Sequence, residues 1–88
     1  MNNEVGISYF DLGEYMRAFI EHPENRKTPI YYLCNKTDER ISLGEIKWNG
    51  RWRKYCYYPV EDTVFDAKCL QEIINFLEHL REERKQKL

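Results

Sequence analysis

The stretch LGEIKWNGRWRKYCYY, residues 43–58, decides the fold, because two runs rich in aromatic and β-branched residues flank an Asn-Gly pair. Asn-Gly between two such runs is the strongest short-range signal for a β-hairpin, since both residues accept the positive φ of a tight turn. The sequence therefore predicts two antiparallel strands, from about Arg40 to Trp48 and from about Arg51 to Tyr58, joined at Asn49-Gly50.

The register of this hairpin follows from the alternation of side chains between the two faces of a strand. The even positions are mainly apolar: Ile46, Trp48, Trp52, Cys56 and Tyr58. A two-residue turn would pair Trp48 with Arg51 and mix apolar with charged residues. A three-residue loop that ends at a left-handed Gly50 pairs Ile46 with Trp52 and keeps the even face apolar. The sequence therefore favours the three-residue loop, with the face that carries the even-numbered residues buried.

Upstream of the hairpin, Pro29–Cys34 is short, aromatic and β-branched, and the polar residues 35–38 after it are typical of a turn. Ile41 and Leu43 are out of phase with Ile46. One extra residue near Gly44 and Glu45, a β-bulge, restores the alternation. With Pro29–Cys34 as the first strand, the sequence predicts a three-stranded antiparallel sheet.

A helix is predicted over Asp11–His22, where Leu12, Tyr15, Met16, Phe19 and Ile20 recur at helical spacing. Asp11 as N-cap and Glu14 three residues later form a capping box. Pro23 ends this helix, because the residue before a proline is displaced from helical geometry.

A final helix is predicted from Ala67 to the Arg84 region, with Asp66 as its N-cap. Its broad apolar face covers one side of the sheet. The basic residues at its end complement the helix dipole, and the end 84–88 is the part open to fraying. The expected fold is a single α+β domain over residues 1–88, with two layers in the order α-β-β-β-α. The predicted core contains Phe19, Leu33, Ile46, Trp52, Cys56, Phe65, Leu70, Ile73, Ile74 and Leu77.

The composition excludes several protein classes. The chain has 88 residues with 15 acidic and 14 basic side chains, and its net charge of −1 argues against a general polyanion binder. No apolar run approaches the roughly 20 residues of a membrane helix, and Met1 to Glu4 do not resemble a signal peptide, so a cytoplasmic protein without a membrane partner is expected.

Cys34, Cys56 and Cys69 have no Cys-x-x-Cys spacing, so they are expected to be reduced thiols. No metal, cofactor or catalytic residue is predicted, because no phosphate loop, zinc motif or nucleophile elbow is present.

The odd side of the hairpin is the candidate binding surface. It combines basic and aromatic side chains: Lys47, Arg51, Arg53, Tyr55 and Tyr57. Arginine and tyrosine dominate protein interfaces, and basic residues beside aromatic rings also suit single-stranded nucleic acid. Two alternatives remain open. The odd side can be a solvated face that keeps the sheet soluble, or the acidic surface of the final helix can be the working surface.

The motifs Leu43-Gly44-x-Ile46-x-Trp48, Trp52-Arg53-x-Tyr55, and Thr63-Val64-Phe65 before Cys69-Leu70 resemble a family of small proteins from tailed phages and prophages. The resemblance covers about 35 residues of the second half. It implies a phage protein in a bacterial cytoplasm and supplies no catalytic residues. The expected function is therefore non-enzymatic binding of a host or phage protein, for example to inhibit a host defence or nucleic-acid machine. Nucleic-acid binding is the alternative, and a homo-oligomer is compatible with the sequence.

Overall fold

The computed structural model describes residues 8–86, in which a five-stranded antiparallel sheet is covered on one face by one helix. The strands follow one another in chain order across the sheet, so each pairs with its sequence neighbour. The elements are β1 Ser8–Leu12, β2 Met16–Glu21, β3 Ile30–Asn35, β4 Ser42–Asn49, β5 Lys54–Pro59 and α1 Ala67–Gln86. The predictions for Met1 to Glu4, Lys87 and Leu88 concern residues outside this range.

The predicted helix Asp11–His22 is wrong, because this segment forms the hairpin β1–β2 and gives the sheet five strands instead of three. A turn at Gly13, with φ of 71°, separates the two strands. The apolar residues of β2 at 16, 18 and 20 alternate as in a strand and pack into the core. Phe19 and Tyr15, which completed the helical stripe, lie outside this face, and Tyr15 is exposed. The capping box is also absent, because Asp11 pairs with Arg17 across the hairpin.

The β4–β5 hairpin exists, but its predicted register is wrong. Its loop has four residues, 50–53, and Asn49 pairs with Lys54. The Asn49 carbonyl accepts a 2.7 Å hydrogen bond from the Arg53 N–H, and Arg53, not Gly50, is left-handed, with φ of 57°. An even loop length reverses the parity of the second strand. Ile46 therefore lies opposite Tyr57, not opposite Trp52, and the odd residues of β5 face the helix.

The predicted bulge near Gly44 is present. Leu33 pairs with Gly44 whereas Cys34 pairs with Ser42, so Leu43 is the extra residue. Gly44 has φ of 149°, and a Cβ there would lie 2.5 Å from the Tyr58 carbonyl oxygen. The close approach of β5 at the bulge thus requires glycine.

Helix α1 confirms the final predicted helix to within two residues. The Cys69 N–H donates a 2.9 Å hydrogen bond to Asp66 Oδ1, so Asp66 is the N-cap. The buried residues of the helix, Ile73 and Leu80, pack against the sheet. The sheet contributes the rest of the main buried cluster: Leu12, Met16, Ala18, Tyr31, Leu33 and Ile46.

The predicted core is correct in part. Leu33, Ile46 and Ile73 are buried. The prediction is wrong for Trp52, which is 64% exposed, and for Leu70 and Ile74, which are 45% and 47% exposed. The remaining predicted residues are half-buried: Phe19, Cys56, Phe65 and Leu77. Trp52 is exposed because it belongs to the hairpin loop and not to β5.

Candidate functional site: a basic groove between the helix and the hairpin

The direction of α1 brings the end of the helix over the hairpin. The ring of Phe65, just before the helix, lies 5.8 Å from Tyr57 in the second half of β5. At the other end of the helix, the Arg84 guanidinium carbon lies 4.1 Å from the centroid of the Trp48 ring at the end of β4. The helix therefore runs antiparallel to β5, and its C-terminal turns lie over the hairpin.

A groove of about 630 Å³ opens between these two elements. The hairpin contributes one wall and the helix the other. The lining residues are Trp48, Arg53, Lys54, Tyr55, Leu77, Glu78, Arg81, Arg84 and Lys85. Two basic segments that are about 30 positions apart in the chain thus meet at one site.

The groove has a strong excess of positive charge. It is lined by five basic side chains and one carboxylate, that of Glu78. Arg81 Nη1 lies 4.0 Å from Glu78 Oε1, and Lys85 Nζ lies 3.8 Å from Glu82 Oε2, so both ion pairs are long. Arg53, Lys54 and Arg84 form no ion pair within residues 8–86. These cations are available to an anionic ligand, for which a concave site concentrates the field.

The floor of the groove is aromatic and uncharged. Trp48 and Tyr55 are cross-strand neighbours, and their rings meet edge to face at 5.4 Å. Burial raises the pKa of the Tyr55 phenol, while the nearby Arg84 cation acts in the opposite direction. The phenol stays neutral at physiological pH and leaves the positive potential of the groove intact. With Leu77, these rings supply an apolar surface beneath the cations.

The structure does not bring the five predicted site residues to one face. Lys47 lies on the uncovered face of the sheet, 3.0 Å from a Glu45 oxygen and 4.9 Å from the Tyr58 ring centroid. Arg51 and Arg53 belong to the loop, whereas Tyr55 and Tyr57 face the helix. Only Arg53 and Tyr55 line the groove.

Tyr57 is a structural residue. Its hydroxyl donates a 2.7 Å hydrogen bond to the Leu43 carbonyl, and burial raises its pKa to about 12. It thereby holds β5 against the bulged part of β4.

Sequence reasoning missed most of the groove: Trp48, Lys54, Leu77, Arg81, Arg84 and Lys85. The basic end of the helix was visible in the sequence, but it was explained by the helix dipole alone. The available signal was topological. A helix that returns over the last hairpin ends beside the hairpin loop, so the two basic segments belong to one site.

The described thiols and the histidine of the helix lie outside the groove. No group of three or more His, Cys, Asp or Glu side chains is arranged to hold a metal within residues 8–86. Burial raises the pKa values of the Cys34 and Cys69 thiols, which disfavours their nucleophilic thiolate forms. His79 stacks on Phe76 and lies 3.3 Å from Glu83, on the exposed side of the helix. In the same part of the chain, no helix is both long and apolar enough to cross a membrane.

Comparison with known proteins shows a relative from a phage. No family model and no solved structure matches the chain. The chain is 37% identical over 73 residues to the "uncharacterized 9.3 kDa protein" of Acholeplasma phage L2, and the match covers 83% of this chain and 92% of the relative. This confirms the expected phage origin of the family, whereas the tailed-phage type and the individual motifs stay predictions. The chain therefore belongs to the family of small phage proteins that includes the 9.3 kDa protein of Acholeplasma phage L2.

Proposed function

We propose that this phage protein is a non-enzymatic binding protein of the bacterial cytoplasm, and that its groove binds an acidic segment of a host or phage protein. One observation carries the proposal: five cations converge over an aromatic floor with a single carboxylate among them. Inhibition of a host defence or nucleic-acid machine is a role that such binding would serve.

The groove suits a peptide segment with alternating chemistry. Guanidinium groups form paired hydrogen bonds with carboxylates, and Arg81 and Arg84 supply two of them. The Trp48 and Tyr55 rings and Leu77 offer apolar contact to a neighbouring side chain of the same segment. Interfaces typically combine aromatic and arginine anchors in this way.

A continuous nucleic-acid backbone is a poorer fit. A phosphate backbone needs a positive track that extends beyond one groove. On the helix, the cations of the groove are flanked by Glu78, Glu82 and Glu83, and the chain as a whole has a net charge of −1. The positive region is therefore local, as is appropriate for a short acidic segment. Nucleic-acid binding remains the alternative, favoured by the aromatic floor beneath the cations.

Fluorescence of Trp48 tests the proposal directly. In a Trp52→Phe background, Trp48 is the only tryptophan. A peptide of glutamate and phenylalanine residues is titrated in parallel with an oligothymidylate of equal length. We expect saturable binding of the peptide, and a loss of at least about tenfold in affinity, about 1.4 kcal/mol, in the variant Arg81→Glu/Arg84→Glu.

The matched control is Lys36→Glu/Arg40→Glu, which also reverses two positive charges. These residues lie in the loop between β3 and β4, at the end of the sheet opposite to the groove. Its affinity should change by much less. Preferential binding of the oligonucleotide, with a salt slope of roughly −0.7 per phosphate contact, would favour the alternative. A pull-down from nuclease-treated host lysate with the parent and the groove variant then identifies the partner.

A further inference from the structure

Strand β5 forms an edge of the sheet with unpaired backbone groups. The Val60 N–H donates a 3.0 Å hydrogen bond to the Leu43 carbonyl, so Val60 and every second residue before it point their backbone groups at β4. Tyr55 and Tyr57 consequently direct their N–H and C=O groups to the free side of β5. Within residues 8–86, no strand pairs with this side.

Pro59 limits how another strand can pair with this edge. It lies on the same side as Tyr55 and Tyr57 but has no N–H. In an antiparallel pair of two β5 strands centred on Cys56, Tyr55 of each copy faces Tyr57 of the other. Each pair then exchanges two hydrogen bonds, every free N–H between 55 and 57 is satisfied, and Pro59 lies beyond the paired region. A pair centred on Tyr57 leaves the Tyr55 carbonyl opposite a proline and unsatisfied.

Exposed apolar side chains accompany the edge. Leu70 and Ile74 are 45% and 47% exposed, although they lie on the same flank of α1 as Leu77 and Arg81, which line the groove over β5. The opposite flank is the one attached to the β1–β2 turn, through the ion pair of Lys68 with Glu14. The apolar flank therefore faces the free side of β5.

The charges along the edge are polarised. The segment before β5 carries Arg51 and Arg53, whereas the segment after it carries Glu61 and Asp62. In the pairing centred on Cys56, the first segment of one copy lies beside the second segment of the other. The exposed Trp52 and the 41% exposed Val60 also become neighbours across this junction.

We propose that a second copy of this chain is the occupant of the β5 edge, in a two-fold dimer with Cys56 opposite Cys56 and the two apolar helix flanks on the same side of the joined sheet. A C2 interface requires a self-complementary surface, and this edge is self-complementary in hydrogen bonding, apolar exposure and charge. The proposal goes beyond the function proposed above and needs no ligand.

Disulfide trapping tests the register. Residues 56 of the two copies form a pair without hydrogen bonds, whose Cα atoms lie about 4.5 Å apart, within reach of a disulfide. The protein with Cys34→Ala and Cys69→Ala retains Cys56 alone. With diamide as the oxidant, which accepts the two electrons and two protons that the thiols release, we expect a covalent dimer of twice 10.8 kDa.

The control places the single cysteine at another position of the same strand, by Cys56→Ser and Lys54→Cys. The two cysteines are then four positions apart across the two-fold axis, about 13 Å, beyond the 7 Å that a disulfide spans. We expect cross-linking to be at least about tenfold slower. Equal rates for the two proteins would overturn the proposed register.

Light scattering tests the dimer without cross-linking. At high micromolar concentration, the parent protein should have twice the monomer mass, and Leu70→Glu/Ile74→Glu should raise the dimer dissociation constant at least about tenfold. A monomer throughout the concentration range would overturn the proposal, and the edge would then be left to a different partner. Because this experiment contains no peptide or nucleic acid, its failure is separable from a failure of the proposed function.

Discussion

At the scale of single residues, the backbone of Gly44 leaves no room for a side chain. We predict that Gly44→Ala destabilises the protein by about 2 kcal/mol or more, because Ala at a φ of 149° is strained and its Cβ would lie 2.5 Å from the Tyr58 carbonyl oxygen. Urea denaturation of the parent and variant at one concentration measures this change.

Gly50 is the natural control for this substitution. It lies in the hairpin loop, its φ is not in the left-handed region, and a Cβ there would meet no atom within 4 Å. Gly50→Ala should be neutral or stabilise by about 0.4–1 kcal/mol, because it removes freedom from the unfolded chain. Equal losses at both glycines would contradict the assignment of the bulge.

The exposure of Trp52 shows that the length of the hairpin loop decides which side chains of the hairpin are buried. The sequence correctly indicated a hairpin at Asn49-Gly50 and correctly placed Ile46 in the core. It could not distinguish a three-residue loop from a four-residue loop, because the choice rests on hydrogen bonds from the Arg53 and Trp52 N–H groups to Asn49. A loop that is longer by one residue exchanges the buried and exposed faces of β5.

At the scale of elements, the capping of α1 makes a pH-dependent contribution to stability. The Cys69 N–H is the main cause that lowers the pKa of Asp66 below its ordinary value of 3.8. A group with a lowered folded-state pKa stabilises the fold fully above its unfolded-state pKa, and this contribution is lost as the pH falls through the folded value. We predict that the parent is more stable than Asp66→Asn at pH 7 and that the difference is smaller at about pH 3, where the carboxylate of the unfolded chain already binds protons.

Asparagine is the appropriate replacement, because it is an equally good N-cap but has no charge to titrate. The pKa values of Asp11, Glu14 and Asp38 are lowered as well, so both proteins lose stability in acid. Urea denaturation of the two proteins at each pH therefore isolates Asp66 through their difference. A difference that is the same at both pH values would contradict this origin.

The two ends of the chain differ in how well their elements could be predicted. The final helix was predicted correctly because its N-cap, its apolar face and its length all favour a helix. The helix predicted over residues 11–22 was wrong because the apolar residues of this segment fit both the helical and the strand period. Positions 12, 16 and 19 match a helix, whereas positions 16, 18 and 20 match a strand. Gly13 was the discriminating residue, since a left-handed turn between two short strands suits glycine and the interior of a helix does not.

At the scale of the whole molecule, the arrangement of charge matters more than its sum. The groove collects Arg81, Arg84 and Lys85 from the helix and Arg53 and Lys54 from the hairpin, while Glu61 and Asp62 lie beyond the other end of β5. A net charge of −1 conceals this separation. The candidate site could not be read from the sequence alone, because each half of it has an ordinary local explanation until the topology brings the halves together.

The same separation predicts selective pairing between charge variants. Arg51→Glu/Arg53→Glu should weaken the dimer, because acidic segments then face acidic segments across both junctions. Glu61→Lys/Asp62→Asn should weaken it too, because basic segments then face basic ones. Asparagine is used at position 62 because its φ of 66° is left-handed, a conformation that Asn tolerates.

A mixture of the two variants should restore the dimer. One junction of the mixed dimer has the native arrangement, and the other has both signs reversed, so each brings opposite charges together. Native mass spectrometry resolves the mixed dimer from the two homodimers by mass. We expect the mixed species to dominate and its excess to fall as salt screens the charges, because these segments are exposed to solvent. A statistical distribution of the three dimers would show that the charges along β5 do not select the partner, and the pairing would then rest on the backbone and the apolar flank alone.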